Sequence, residues 1–272
     1  MNISPEWRAR ADRMFEAIQK WSDMMKVDPP TAIAGSELAT DDKMFLPMPT
    51  SVVTWAGVLH AVEHLDAFVK FFTTSQIAYP TAYYSLLRSA LIGGASALWV
   101  IGPDDPLLRQ RRALTIAVDD LRHQRKSGKP AREFAEDATI DRQMELIDKR
   151  LAEAIEAAER AGMENAAKAD RWQLQTTDII EAAAGYLPKE SAIKMSAAAL
   201  LLWHTQSQIA HSAPSARLQS VNRDSYYRAA DGTLVGRSVL DLDTLLLALS
   251  AAVLYVNQAI TLFRQRAGVN AS

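Results

Sequence analysis

From 244 to 263 the chain runs through 20 consecutive residues without a charged side chain, and between Lys70 and Asp104 the only charge is Arg88. Stretches this apolar must be covered on most sides, by protein or by lipid, and they limit the fold more than any other feature. Residues 244–263 are long enough to cross a bilayer. Asn257 and Gln258 sit side by side within them, with Ser250 and Thr261. Such polar groups suit a helix buried in protein, so membrane attachment through 244–263 is not expected.

The rest of the chain reads as helix around these stretches. Ser4-Pro5-Glu6 is an N-terminal signal of cap, helix starter and first-turn acid. Behind it Trp7, Ala11, Met14, Ile18, Trp21 and Met25 recur at spacings of 4, 3, 4, 3 and 4, one apolar stripe over 5–26. Residues 27–50 show no period and hold Pro29, Pro30, Pro47 and Pro49, which reads as a linker lying over the bundle. Further helices are expected over 51–72, 81–101, 106–126, 131–161, 176–186, 189–211 and 241–265. In 131–161 the seam is Ile140, Met144, Ile147, Leu151, Ala154 and Ala158, which suits one half of an antiparallel hairpin or a protruding arm; a weak dimer coiled coil is the alternative. Near 215–240, Asp231-Gly232 between short β-prone runs predicts a small hairpin in a polar insertion.

The expected fold is all-α, a multi-helix bundle of about eight helices. It forms a single helical domain over 1–272, with 1–50 as N-terminal helix plus Pro-rich linker and 51–272 as the core. Composition narrows the function. A net charge of −2 argues against extended nucleic-acid binding. The absence of cysteine excludes disulfides, thiolate metal sites and thiol nucleophiles, and fits a reducing, cytoplasmic setting. The start of the chain shows no basic segment followed by an apolar core, so no signal peptide is expected.

The informative residues are polar ones inside helices that look buried. Arg88 sits mid-helix and needs partners; Glu63 and Asp66 on the neighbouring helix are the best candidates, and Tyr84 lies one turn upstream. Gly93 and Ala97, four apart, predict close approach of another helix. His60-Ala61-Val62-Glu63-His64 puts both imidazoles on one face, and matches the H-x-x-E-H string of some zinc peptidases at low specificity. His204, Ser207, Gln208 and His211 form one polar stripe. The candidate cluster is therefore His60, Glu63, His64, Arg88, His204 and His211, with metal and cofactor unknown. In 106–126, Arg109, Arg111 and Arg112 among Asp119 and Asp120 read as a solvated face with local pairs, able to meet a phosphate.

His60 to His64, the Tyr84-x-x-x-Arg88-Ser89-Ala90 helix and the Trp203-His204 to Ala210-His211-Ser212 helix end together resemble a loosely defined set of uncharacterised, mainly actinobacterial, all-helical proteins with distant HEPN-like architecture. The resemblance spans 51–215 and implies a helical architecture. Ribonucleases among HEPN-type proteins use an arginine four to six residues ahead of a histidine, and no histidine here has one. Two readings of function stand side by side. One is a binding or assembly protein without turnover, with a protein partner or a second copy. The other is a hydrolytic enzyme, HEPN-like or metal-dependent, using the His/Glu/Arg cluster as acid–base groups, ligands and anion stabiliser.

Overall fold

The computed structural model describes residues 4–27, 31–75, 77–134, 138–166, 174–210, 227–235 and 240–269. Among these residues the chain forms nine α-helices and one two-stranded hairpin. The helices are α1 (Pro5–Met24), α2 (Glu37–Asp41), α3 (Thr50–Thr74), α4 (Pro80–Ile101), α5 (Pro106–Phe134), α6 (Ala138–Arg160), α7 (Thr176–Ala184), α8 (Lys189–Ala210) and α9 (Leu242–Arg266). The all-α bundle is the fold class that the periodicities predict.

The two nearly uncharged stretches become α4 and α9, and they pack against each other at the centre. Each is long and apolar enough to cross a membrane, and each has more than half of its most apolar window covered by the rest of the chain. Two adjacent glycines let α4 take close neighbours on two sides. A Cβ on Gly93 would stand 2.7 Å from the Gly57 carbonyl oxygen of α3, and one on Gly94 would stand 2.9 Å from Val256 Cγ2 of α9. The close approach expected at Gly93 and Ala97 is therefore present, with Gly57 as its counterpart.

α1 follows its sequence signals. The Ser4 hydroxyl accepts from the Trp7 N–H at 3.2 Å, and the whole stripe from Trp7 to Met25 packs on the core. Trp7 stacks on Phe72 at 5.7 Å, and its indole N–H donates to the Leu242 carbonyl at 2.8 Å, tying the starts of α1 and α9 to the end of α3.

The expectation of a linker over 27–50 is corrected within the described residues. Ser36 caps α2, a 3-10 turn follows at Asp42–Met44, and Leu38 and Phe45 are buried. Two adjacent aspartates anchor this strap in opposite directions. Asp41 turns inward to Arg109, while Asp42 accepts both the N–H and the hydroxyl of Ser51 at 2.8 Å and caps α3, whose own N-cap is Pro49. Such acceptors satisfy the free N–H groups of a helix start.

α5 and α6 form an antiparallel hairpin with a second apolar cluster at its base, including Phe45, Leu114, Val118, Leu121 and Leu151. α5 continues to Phe134, past the expected end at 126 and through Pro130. Gly128 leaves the space that Met144 of α6 fills, so packing of the pair overrides the two helix-breaking residues. The polar insertion holds the expected hairpin, with Tyr227 opposite Val235 and Arg228 opposite Leu234, turning at Gly232 with φ +85°.

Candidate functional site

His60 and His64 lie one turn apart on α3, with ring centroids 4.2 Å apart, and His64 Nδ1 lies 2.7 Å from the His60 carbonyl oxygen. The His60 ring rests where Gly93 lacks a side chain, its Cδ2 3.0 Å from the position a Cβ would take. His60 is exposed overall, but partial desolvation of its ring against α4 and the neighbouring His64 push the imidazole below its ordinary pKa, and Glu63 opposes this. Glu63 faces solvent. Among the described residues no three His, Asp or Glu side chains gather as a metal-binding group.

Arg88 has partners other than those expected. Its Nε donates to Ser207 Oγ of α8 at 3.1 Å, and its guanidinium carbon lies 4.2 Å from the centre of the Trp203 ring. Asp66 instead pairs with Lys70 at 2.5 Å, and the Tyr84 hydroxyl reaches the Asp241 carbonyl at 3.5 Å. His204 and Gln208 are exposed, while Gln206, outside the expected polar stripe, is buried with an unpartnered Oε1. His211 lies outside the described residues.

Helical geometry explains the division. Successive residues turn by about 100°, so Gly93, Gly94 and Arg88 point about 100–140° apart around α4. α3 takes the first side, α9 the second and α8 the third. His60, Glu63 and His64 therefore stand with α3, while Arg88 belongs to the α4–α8 seam and His204 is exposed on α8.

The strongest charged constellation lies elsewhere, at the C-terminal end of α4. The last carbonyls of a helix have no partner within the helix and carry partial negative charge. Three arginines gather on them and on the break that follows. Arg112 donates to the Trp99 carbonyl at 2.6 Å, Arg266 to Ile101 at 3.0 Å and Gly102 at 3.4 Å, and Arg109 to Pro103 and Asp104 at 2.9 Å. Arg109 is buried, and its Nε donates to buried Asp41 at 2.6 Å. Glu37 forms an ion pair with Arg109 at 3.3 Å and accepts from Arg266 at 2.6 Å, and Asp104 accepts from Arg266 at 2.9 Å. Burial pushes the Asp41 carboxyl above its ordinary value, against the pull of the Arg109 and Gln110 hydrogen bonds.

In this network every guanidinium nitrogen of Arg109 and Arg266 has a hydrogen-bond or ion-pair partner. These contacts fix α2, α4, α5 and α9 in place and commit both guanidiniums to carboxylates and carbonyls of the fold. The reading of 106–126 as a solvated face fails at Arg109. The signal available in the sequence was the uncapped helix end at Gly102-Pro103, six residues ahead of Arg109. No family model, no curated protein and no solved structure matches the chain.

Proposed function

We propose that this chain is a binding and assembly protein without turnover, which associates with a second copy through the α5–α6 arm. The observation that carries this reading is a pair of opposite charge stripes on that arm. On α6, Asp141, Glu145, Asp148, Glu156 and Glu159 recur at helical spacing on one face, and all are exposed. On the outer half of α5, Arg125, Lys126 and Arg132 are exposed along one side. Near the tip, Phe134 is 93% exposed.

Two such arms laid antiparallel about a two-fold axis would set each basic stripe on the partner's acidic one, as an isologous contact requires. Within one chain the stripes meet sparsely, through Arg132 and Asp141 at 2.8 Å. Two further observations support a role without turnover. The polar residues flagged by sequence lie on separate sides of α4, and the buried arginines are each paired with two carboxylates of the fold. The packing of α9 on α4 supports a chain that works in solution, and the cysteine-free composition fits the cytoplasm.

Analytical ultracentrifugation tests the reading. The chain should sediment as a dimer at about 50 mM salt and as a monomer at about 1 M, where the screening length falls to about 3 Å. Reversing Glu145, Asp148 and Glu156 to Lys should abolish the dimer. Mixing that variant with one carrying Arg125→Glu, Lys126→Glu and Arg132→Glu should restore a heterodimer. A chain that stays monomeric at low salt at about 100 μM, or variants that dimerise as the parent does, would refute it.

A further inference from the structure

Arg111 and Arg112, two and three residues beyond Arg109, differ from it in a way that points to a ligand. Among the described residues neither makes an ion pair with a carboxylate, whereas Arg109 and Arg266 each make two. Both are nonetheless held in place. Arg112 Nη1 donates to the Trp99 carbonyl at 2.6 Å and to the Tyr186 hydroxyl at 3.0 Å, and its guanidinium carbon lies 4.9 Å and 5.5 Å from those two rings. Arg111 Nε donates to the Ala161 carbonyl at 2.8 Å and its Nη2 to that of Gly162 at 3.3 Å, at the end of α6.

Each guanidinium thus sits on a helix C-terminus, which offsets about half a unit of charge. Two arginines on two helix ends keep about one positive charge between them. Among the described residues Arg111 Nη1 and Arg112 Nε and Nη2 have no acceptor. Ordering costs little on binding when the donors are already fixed.

Both arginines line a cleft of about 360 Å³ between α4, α5 and α7, which continues past Arg111 and Thr115 into a second of about 470 Å³. The first has an apolar wall of Trp99, Leu108 and Ile179, and the exposed carboxylate of Asp178 on its lip. Its volume is at the small end of ligand sites. From these features we infer that the cleft binds a small zwitterion of the amino-acid class. The carboxylate takes the unspent guanidinium donors, the apolar body lies along Trp99, Leu108 and Ile179, and the ammonium group faces Asp178. Paired guanidiniums hold a carboxylate or a phosphate in the same bidentate geometry, and the carboxylate on the lip disfavours a plain dianion such as phosphate.

Titration calorimetry on the full chain tests the site with four probes: phenylalanine, phenylacetate, phenethylamine and inorganic phosphate. Phenylalanine should bind with Kd on the order of 0.1–1 mM. Phenylacetate should bind several-fold more weakly, and phenethylamine and phosphate not measurably. Arg111→Gln and Arg112→Gln should each weaken phenylalanine at least tenfold. Either change also removes a helix cap, so Asp178→Asn on the exposed lip provides the independent arm. It should leave the melting curve unchanged and bring phenylalanine and phenylacetate to within about twofold of each other. Three results would overturn the assignment: no phenylalanine heat up to about 10 mM, phosphate binding as tight as phenylalanine, or an unchanged preference in Asp178→Asn. None of these outcomes depends on whether the arm dimerises.

Discussion

At the end of α4 the guanidinium of Arg109 is buried against Asp41, and that of Arg266 lies on the Ile101 and Gly102 carbonyls. Along the outer half of α5, Arg125, Lys126 and Arg132 stand in water. The residue types are similar and the consequences differ. A buried guanidinium is costly unless every donor is met, so its partners become fixed parts of the fold. An exposed one is screened and contributes little to stability, which leaves it available for recognition. Charge in this molecule is tied into the fold where Arg109 and Arg266 meet the end of α4, and is solvated where α5 runs outward.

The largest expected effect comes from breaking the buried side of that contrast. Asp41→Ala leaves Arg109 without its buried counter-ion and should cost about 3–5 kcal/mol in urea unfolding. Replacing both partners by apolar residues, Asp41→Leu with Arg109→Met, should recover much of that loss. On the exposed side, Glu145→Ala should leave the unfolding midpoint unchanged. A loss at Glu145 comparable with that at Asp41 would erase the distinction between the two regions.

Close approach at the bundle centre ranks next. Gly93→Ala adds a methyl group 2.7 Å from the Gly57 carbonyl oxygen and 3.0 Å from the Ala61 nitrogen, both backbone atoms that cannot swing aside. The expected cost is about 1–3 kcal/mol, reduced by the better helix propensity of alanine, about 1 kcal/mol. Gly232→Ala, where nothing lies within 4 Å but φ is +85°, should lose less, from backbone strain alone. Equal losses at both glycines would mean that the α3–α4 contact is looser than it stands here.

Tyr255→Phe tests a single buried hydrogen bond away from any charge. The phenol donates to the Ile180 carbonyl at 3.1 Å and links α9 to α7, and burial pushes its pKa upward. The loss should be about 1 kcal/mol by thermal or urea unfolding. An unaffected variant would show that the Ile180 carbonyl finds another donor.

The contrast between regions also explains what the sequence disclosed. Helices were legible where periodicity is local: the Trp7 to Met25 stripe, the uncharged 244–263 run and the Ile140 to Ala158 seam all lie where spacing places them. Gly93 with Ala97 correctly announced a close helix contact, and Asp231-Gly232 a hairpin. The partners of polar residues were not legible. Arg88 was expected to meet the acids of α3, yet it turns to Trp203 and Ser207, 119 positions away in the case of Ser207. Asp41 sat in a stretch without period, 68 positions before Arg109, and Arg266 read as an ordinary last-turn cation. Local spacing determines which face a residue occupies. It does not determine which distant element that face meets.

The smallest expected effect concerns His60, which belongs to neither region: its imidazole is settled over Gly93, beside His64 and Glu63. Its pKa is lowered in the folded chain, first by burial and then by His64. In the unfolded chain it titrates near 6.5. Above that value both states are neutral and the contribution is complete. As pH falls below it, the unfolded chain binds the proton that the folded chain withholds, so stability falls until the lower folded pKa is passed. His60→Gln should remove this slope while leaving stability near pH 8 little changed. The measurement is urea unfolding of both chains between about pH 5 and 8. Parallel curves would mean that the imidazole is as well solvated over Gly93 as in the unfolded chain, and that the α3 flank has the solvation of the arm rather than of the junction.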